Sequence, residues 1–98
     1  MSQRTAQIEA AIERVLARAI PELSDPRLPL IVTIERVQIT PDLLHAKVFI
    51  SSLDDVAPVV EALNHAKGFL QRQIAHEIRL KRTPLLEFLS AASPFRYS

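Results

Sequence analysis

The chain contains one glycine, Gly68, and it stands near the middle of the longest helical pattern. Val59, Leu63, Ala66, Leu70, Ile74 and Ile78 keep a helical spacing that reaches about Leu80. Asp54 or Asp55 can cap the start, and Pro58 is tolerated in a first turn whose amides lack helical partners. Inside a helix a glycine costs ~1 kcal/mol relative to alanine. Gly68 is therefore either a harmless surface residue or the mark of a bend dividing two helices. About 25 residues rising ~1.5 Å each would overrun so small a domain, which favours the bend.

The rest of the chain falls into four further elements. From about Gln3 to Ile20, Ile8, Ile12, Val15, Leu16, Ala19 and Ile20 form an amphipathic helical stripe, ended or kinked by Pro21. A turn-rich link, Ser24-Asp25-Pro26-Arg27, leads to a β-rich run over Leu30–Ile39. Its alternation slips phase, and a bulge or bend near Glu35-Arg36 would reconcile the halves. Thr40-Pro41-Asp42-Leu43 reads as a hairpin link, because Pro41 pre-sets φ for a turn. Leu44–Ser51 then alternates cleanly, with Ala46, Val48 and Ile50 opposed to His45, Lys47, Phe49 and Ser51. A third strand is expected over Pro84–Ser90. Two strands joined by a short loop make an antiparallel hairpin, whereas a strand arriving after a helical crossover can pair in parallel. The expectation is an α+β sandwich of two layers, in which helices cover one face of a three-stranded sheet.

Composition excludes several classes. At 98 residues the chain is one small domain, and 48% apolar against 23% charged residues is a globular rather than a disordered balance. There is no cysteine, so disulfides, thiolate metal sites and a cysteine nucleophile are ruled out. No apolar stretch approaches the ~20 residues that cross a bilayer, and Met-Ser-Gln-Arg-Thr carries no signal core, so the expected compartment is the cytoplasm, with no membrane partner. His45, His65 and His76 share no metal-ligand spacing, and Asp54-Asp55 is better placed for capping than for acid–base work. Without a second glycine there is neither a phosphate loop nor a nucleophile elbow. No enzyme activity, metal or cofactor is expected.

Charge distribution supports binding instead. Lys67, Arg72, Arg79, Lys81 and Arg82 face only Glu77 within their stretch, leaving seven basic and ten acidic residues elsewhere. Arg72, His76 and Arg79 are expected along one helical ridge that continues into Lys81 and Arg82. Arg4, Arg14 and Arg18 fall within roughly 80° of one another on the first helix, opposite Glu9 and Glu13, and form a second patch. Such clustering suits phosphate contact. A solvated helix face, or a module binding an acidic protein partner, is the alternative. Phe49 and Phe69 read as core rather than as base-stacking platforms.

The stretches Asp25-Pro26-Arg27-Leu28, Thr40-Pro41-Asp42-Leu43-Leu44-His45-Ala46-Lys47-Val48-Phe49-Ile50-Ser51, Leu63-Asn64-His65-Ala66-Lys67-Gly68-Phe69-Leu70 and Arg79-Leu80-Lys81-Arg82-Thr83-Pro84-Leu85-Leu86-Glu87-Phe88 occur here in order. In these the chain resembles the ribosome-binding factor A family of bacterial small-subunit maturation factors. The resemblance implies a single KH-like domain of type II topology over residues 1–90, with Ala66-Lys67-Gly68 as the helix kink in place of the usual Gly-x-x-Gly clamp. Residues 91–98 are expected to form a short flexible tail, where many members carry a longer one. It further implies a monomer that binds the free or precursor 30S subunit and assists late 16S rRNA maturation near the 5′ region and decoding site. Growth in the cold and cooperation with assembly GTPases belong to the same family picture. Lys67, Arg72, Arg79, Lys81 and Arg82, then Arg4, Arg14 and Arg18, are the expected RNA-binding residues.

Overall fold

A computed structural model of the chain describes residues 3–92. The expected tail, residues 91–98, lies outside the described residues apart from Ala91 and Ala92. The elements are α1 (Gln3–Ala19), a 3-10 turn (Ile20–Glu22), β1 (Thr33–Ile39), β2 (His45–Ser51), α2 (Val56–His65), α3 (Lys67–Glu77) and β3 (Leu85–Ser90). The sheet order is β1-β2-β3, with β1 antiparallel and β3 parallel to β2. The two-layer α+β arrangement read from the sequence is the arrangement observed. Ile12, Leu16, Val48, Ile50, Leu63, Leu70, Ile74 and Phe88 are almost wholly buried between helices and sheet.

Local chemistry explains most boundaries. The register slips between Ile34 and Arg36, so the extra residue is Glu35. That bulge brings Ile34, opposite Ile50, onto the same side as Val37 and Ile39. β1 begins at Thr33 rather than Leu30, because Thr33 pairs with Ser51, the last residue of β2, and nothing remains for Leu30–Val32 to pair with. In the hairpin the Leu43 amide donates to the Thr40 carbonyl at 2.8 Å, and the Asp42 carboxylate accepts from Thr40 Oγ1 and the Leu44 amide. Leu43 itself adopts φ 64°, a left-handed conformation that costs a leucine roughly 1–2 kcal/mol. Of the two candidate caps it is Asp55 that accepts the Ala57 amide, at 3.2 Å.

Two expectations need correction. Within the Ala66-Lys67-Gly68 kink that the resemblance implies, the break falls on Ala66 (φ −93°, ψ 7°), whereas Gly68, which the spacing favoured as the bend, lies inside α3 with no positive φ. The Ala66 amide donates to the carbonyls of Ala62 and Leu63 and its own carbonyl accepts from Leu70, so Ala66 closes the ladder of α2 and opens that of α3, and the change of direction lies in its backbone angles. The second correction concerns length. α3 ends at Glu77, and Ile78 is extended (φ −120°, ψ 122°), so Arg79 does not continue the ridge of Arg72 and His76. An extended backbone lets Ile78 and Leu80 both pack against the core while Arg79 and Lys81 alternate outward. A helix would turn residues two apart to different faces.

The position of the break follows from two amide side chains that the sequence reading passed over. Asn64 on α2 donates from Nδ2 to the Phe88 carbonyl at 3.0 Å and accepts the Phe88 amide on Oδ1 at 2.9 Å. Gln71 on α3 accepts the Leu86 amide on Oε1 at 3.1 Å. β3 is an edge strand, and these bonds satisfy outward backbone groups that an edge would otherwise leave open. Each helix is thus pinned to the strand, one on either side of Ala66.

Asn64→Ala is expected to destabilise the fold by about 2–4 kcal/mol, since it strands two part-buried backbone groups, and Gln71→Ala by about half as much. Shifts of the urea midpoint measure both. Gly68→Ala should stabilise: the added Cβ would meet nothing nearer than Arg72 Nη1 at 3.8 Å. The expected gain of ~0.5–1 kcal/mol corresponds to a rise in Tm of roughly 2–8 °C, and a fall in Tm would contradict the helical assignment at Gly68.

Candidate nucleic-acid interface

The basic residues come from four elements. Lys67 is the first residue of α3 and is exposed. It lines a cleft of about 380 Å³ with His45 and Lys47 from β2, Asn64 from α2, and Leu85 and Glu87 from β3. A neighbouring depression is formed by Leu44, His45, Arg82, Thr83 and Leu85. His45 thus lies between Lys67 and Arg82, and the cationic surface runs from the helix break across the β2 and β3 starts into the 78–84 link. Arg79 and Lys81 extend it outward from that link. Arg72 is exposed on α3, its guanidinium passing close over Gly68. Among the described residues no ion pair engages Lys67, Arg72, Arg79, Lys81 or Arg82.

His45 and Lys47 were absent from the site expected from the sequence, yet the signal was there. The clean alternation of β2 put them on one face, and parallel pairing with β3 sets His45 beside Leu85 and Lys47 beside Glu87. Only the register, which sequence does not display, brings them next to Lys67.

The second patch divides. Arg4 and Arg14 are exposed on α1, whereas Arg18 pairs with Glu77 at the end of α3. That hydrogen-bonded pair holds the Arg18 guanidinium pKa above its ordinary value. It also occupies the one acidic residue of the 67–82 stretch, which leaves Glu87 as the carboxylate sharing the cleft of Lys67. Because α1 packs on α3, the pair joins the two patches physically. As a surface pair it contributes little stability.

Arg27 carries structure rather than binding. Its Nη2 and Nε donate to Asp25 at 2.7 and 3.0 Å, and Nη1 donates to Glu61 of α2 at 3.0 Å. These contacts fasten the link before β1 onto α2. Neither Phe49 nor Phe69 offers a stacking platform: Phe49 is buried on the open sheet face with the Arg36 guanidinium 3.9 Å from its centroid, and Phe69 packs against the core. The arrangement suits phosphate and backbone contact, which positions a nucleic acid without reading its bases.

The hydrogen bonds from Arg27 hold the Asp25 carboxyl at about 2, below its ordinary 3.8. A depressed folded-state pKa contributes stability above the unfolded value that is lost as pH falls through the folded one. Thermal melts of the native chain and of Asp25→Asn are therefore expected to differ above about pH 4 and to converge near pH 2.

Known proteins share this arrangement. The family model described as ribosome-binding factor A matches residues 4–95. A ribosome-binding factor A of Rubrobacter xylanophilus is 41% identical over 87 residues, covering 87% of this chain and 71% of the relative. The solution structure of a Thermotoga maritima protein described as a putative ribosome binding factor A superposes with a TM-score of 0.86 at 34% identity, over 100% of this chain and 95% of that one. The Thermus thermophilus ribosome binding factor A fitted into an electron-microscopy map of a 30S complex gives 0.73 at 32% identity, over 97% and 100%. By sequence and by superposition of the fold, the chain belongs to the ribosome-binding factor A family.

Proposed function

We propose that this chain is a non-catalytic, monomeric assembly factor that docks on the free or precursor 30S subunit and assists late maturation of 16S rRNA, near its 5′ region and the decoding site. Residues 1–90 are its binding domain. The observation that carries the reading is the placing of Lys67 and Arg82 on either side of His45, with Arg72, Arg79 and Lys81 exposed on α3 and the following link and none of the five in an ion pair among the described residues. Arg4 and Arg14 extend it across α1. The 30S complex of the Thermus relative supports the same class of partner. Assembly GTPases would act with the factor on the particle, and growth in the cold is where its loss would be felt.

Such a factor works by differential binding. It favours one rRNA arrangement only to the extent that it contacts that arrangement better than the alternatives. The rigid spacing of cations on α3, the link and the β2 start provides that discrimination, because RNA backbone that matches it meets several charges at once.

Co-sedimentation with isolated small subunits, large subunits and joined ribosomes tests this. Selective binding to small subunits that weakens with salt is expected. Reversing Arg79 and Lys81 together to glutamate should lower affinity at least tenfold and reduce the salt slope by about 2, with no change in Tm. Equal binding to every particle would reduce the surface to a general polyanion contact. Association that survives ribonuclease treatment would reassign it to an acidic protein partner.

A further inference from the structure

The opposite side of the molecule has other chemistry. Between the C-terminal half of α1, the 3-10 turn and the link entering β1 lies a groove of about 530 Å³, with Ala17, Ile20, Leu23, Leu28 and Ile34 among its lining. On its rim Leu30 is 97% and Ile31 63% exposed, adjacent aliphatic side chains at an apolar groove rather than scattered surface residues. Unpaired with β2, this stretch is held by the Arg27 clamp behind it and the Thr33 pairing ahead of it.

The charge within the groove is negative. Glu13 is the charged residue of the lining; Glu22 follows Pro21 in the turn, and Glu35 sits in the bulge next to Ile34. Arg14 is exposed beside Glu13 on α1 but is not among the lining, and three other nearby cations have partners of their own. Arg18 pairs with Glu77, Arg27 with Asp25 and Glu61, and Arg36 lies over Phe49 on the open face of the sheet. An RNA backbone would meet the Glu13 carboxylate within the groove, where no cation is among the lining residues. Apolar side chains carried between positive charges would satisfy both floor and rim.

We propose that this groove docks an extended polypeptide segment whose apolar side chains alternate with lysine or arginine, supplied by a basic protein. Aliphatic side chains of the segment enter beside Leu28 and Ile31, and its cations lie against Glu13 and Glu22. The site is separate from the cationic surface and does not depend on that surface binding rRNA.

The test uses the full chain and a labelled peptide of leucines spaced by lysine and serine, with a counterpart carrying glutamate for lysine. Fluorescence anisotropy is expected to show binding of the lysine peptide, weakened by salt, and none of the glutamate peptide. Leu30→Asp with Ile31→Asp should lower affinity at least tenfold. Because this change adds negative charge, a purely electrostatic association would strengthen instead, which would overturn the proposal. Glu13→Lys should lower affinity at least threefold and flatten the salt dependence; unchanged binding in either variant would also overturn it. Melting curves check that both variants remain folded. Two other occupants would refute the assignment. Nuclear Overhauser contacts from Phe95 or Tyr97 to the Leu30 and Ile31 methyls would give the groove to the chain's own C-terminal residues. A dimer in sedimentation that Leu30→Asp dissolves would give it to a second copy.

Discussion

The pair of hydrogen bonds between Asn64 and the Phe88 backbone is the contact on which the rest of the arrangement depends. A parallel edge strand reached by a helical crossover has no hairpin to fix its register. Asn64 supplies that reference from α2, and Gln71 repeats it two strand residues earlier from α3. Seven residues separate the two amides, nearly two helical turns, yet their targets Leu86 and Phe88 are only about 7 Å apart at ~3.3 Å per strand residue. An uninterrupted helix carries side chains seven apart about 10 Å along its axis. The turn at Ala66 lets α2 and α3 approach the same short strand from different directions, and Lys67 follows it beside the β2 start.

Much of this was legible in the sequence, because the signals were periodic. Ile8 through Ile20 and Ala46 through Ile50 each follow one period, and both became the elements expected. The phase slip between Ile34 and Val37 was readable as a bulge, and Glu35 is the extra residue. The helix break was readable as a necessity of length; periodicity favoured Gly68, the resemblance widened it to Ala66-Lys67-Gly68, and it falls on Ala66, two residues after Asn64, whose bonds to Phe88 no periodic signal announces. The end of α3 was misjudged for a related reason. Ile78 fits a helical stripe and an extended, half-buried segment equally well, and the need to reach β3 decides between them. The candidate site suffered most where it depends on register, as with His45 and Lys47, or on pairing, as with Arg18.

The charged groups of this small domain are sorted as well as placed. Arg18 and Glu77 tie the cationic flank of α1 to α3, while Glu9, on the other flank, accepts the Ile39 amide at the outer edge of β1 at 2.9 Å. The near-zero net charge of the chain is therefore an average over two unlike sides. One carries cations held by helix and link, the other carboxylates around an apolar floor.

The parallel position of β3 also shapes how the chain acquires its structure. β2 is the central strand, and the carbonyls of Leu44 and Ile50 on its second side are taken up only by the amides of Leu85 and Ala91. More than thirty residues, including both crossover helices, lie between those partners in sequence. During synthesis the β1–β2 hairpin leaves the ribosome with that side of β2 open, and no earlier segment can close it. The sheet, the Asn64 bonds and the packing of Phe88 must then form together, late and cooperatively, which makes this a domain that folds as a unit after its last strand has emerged.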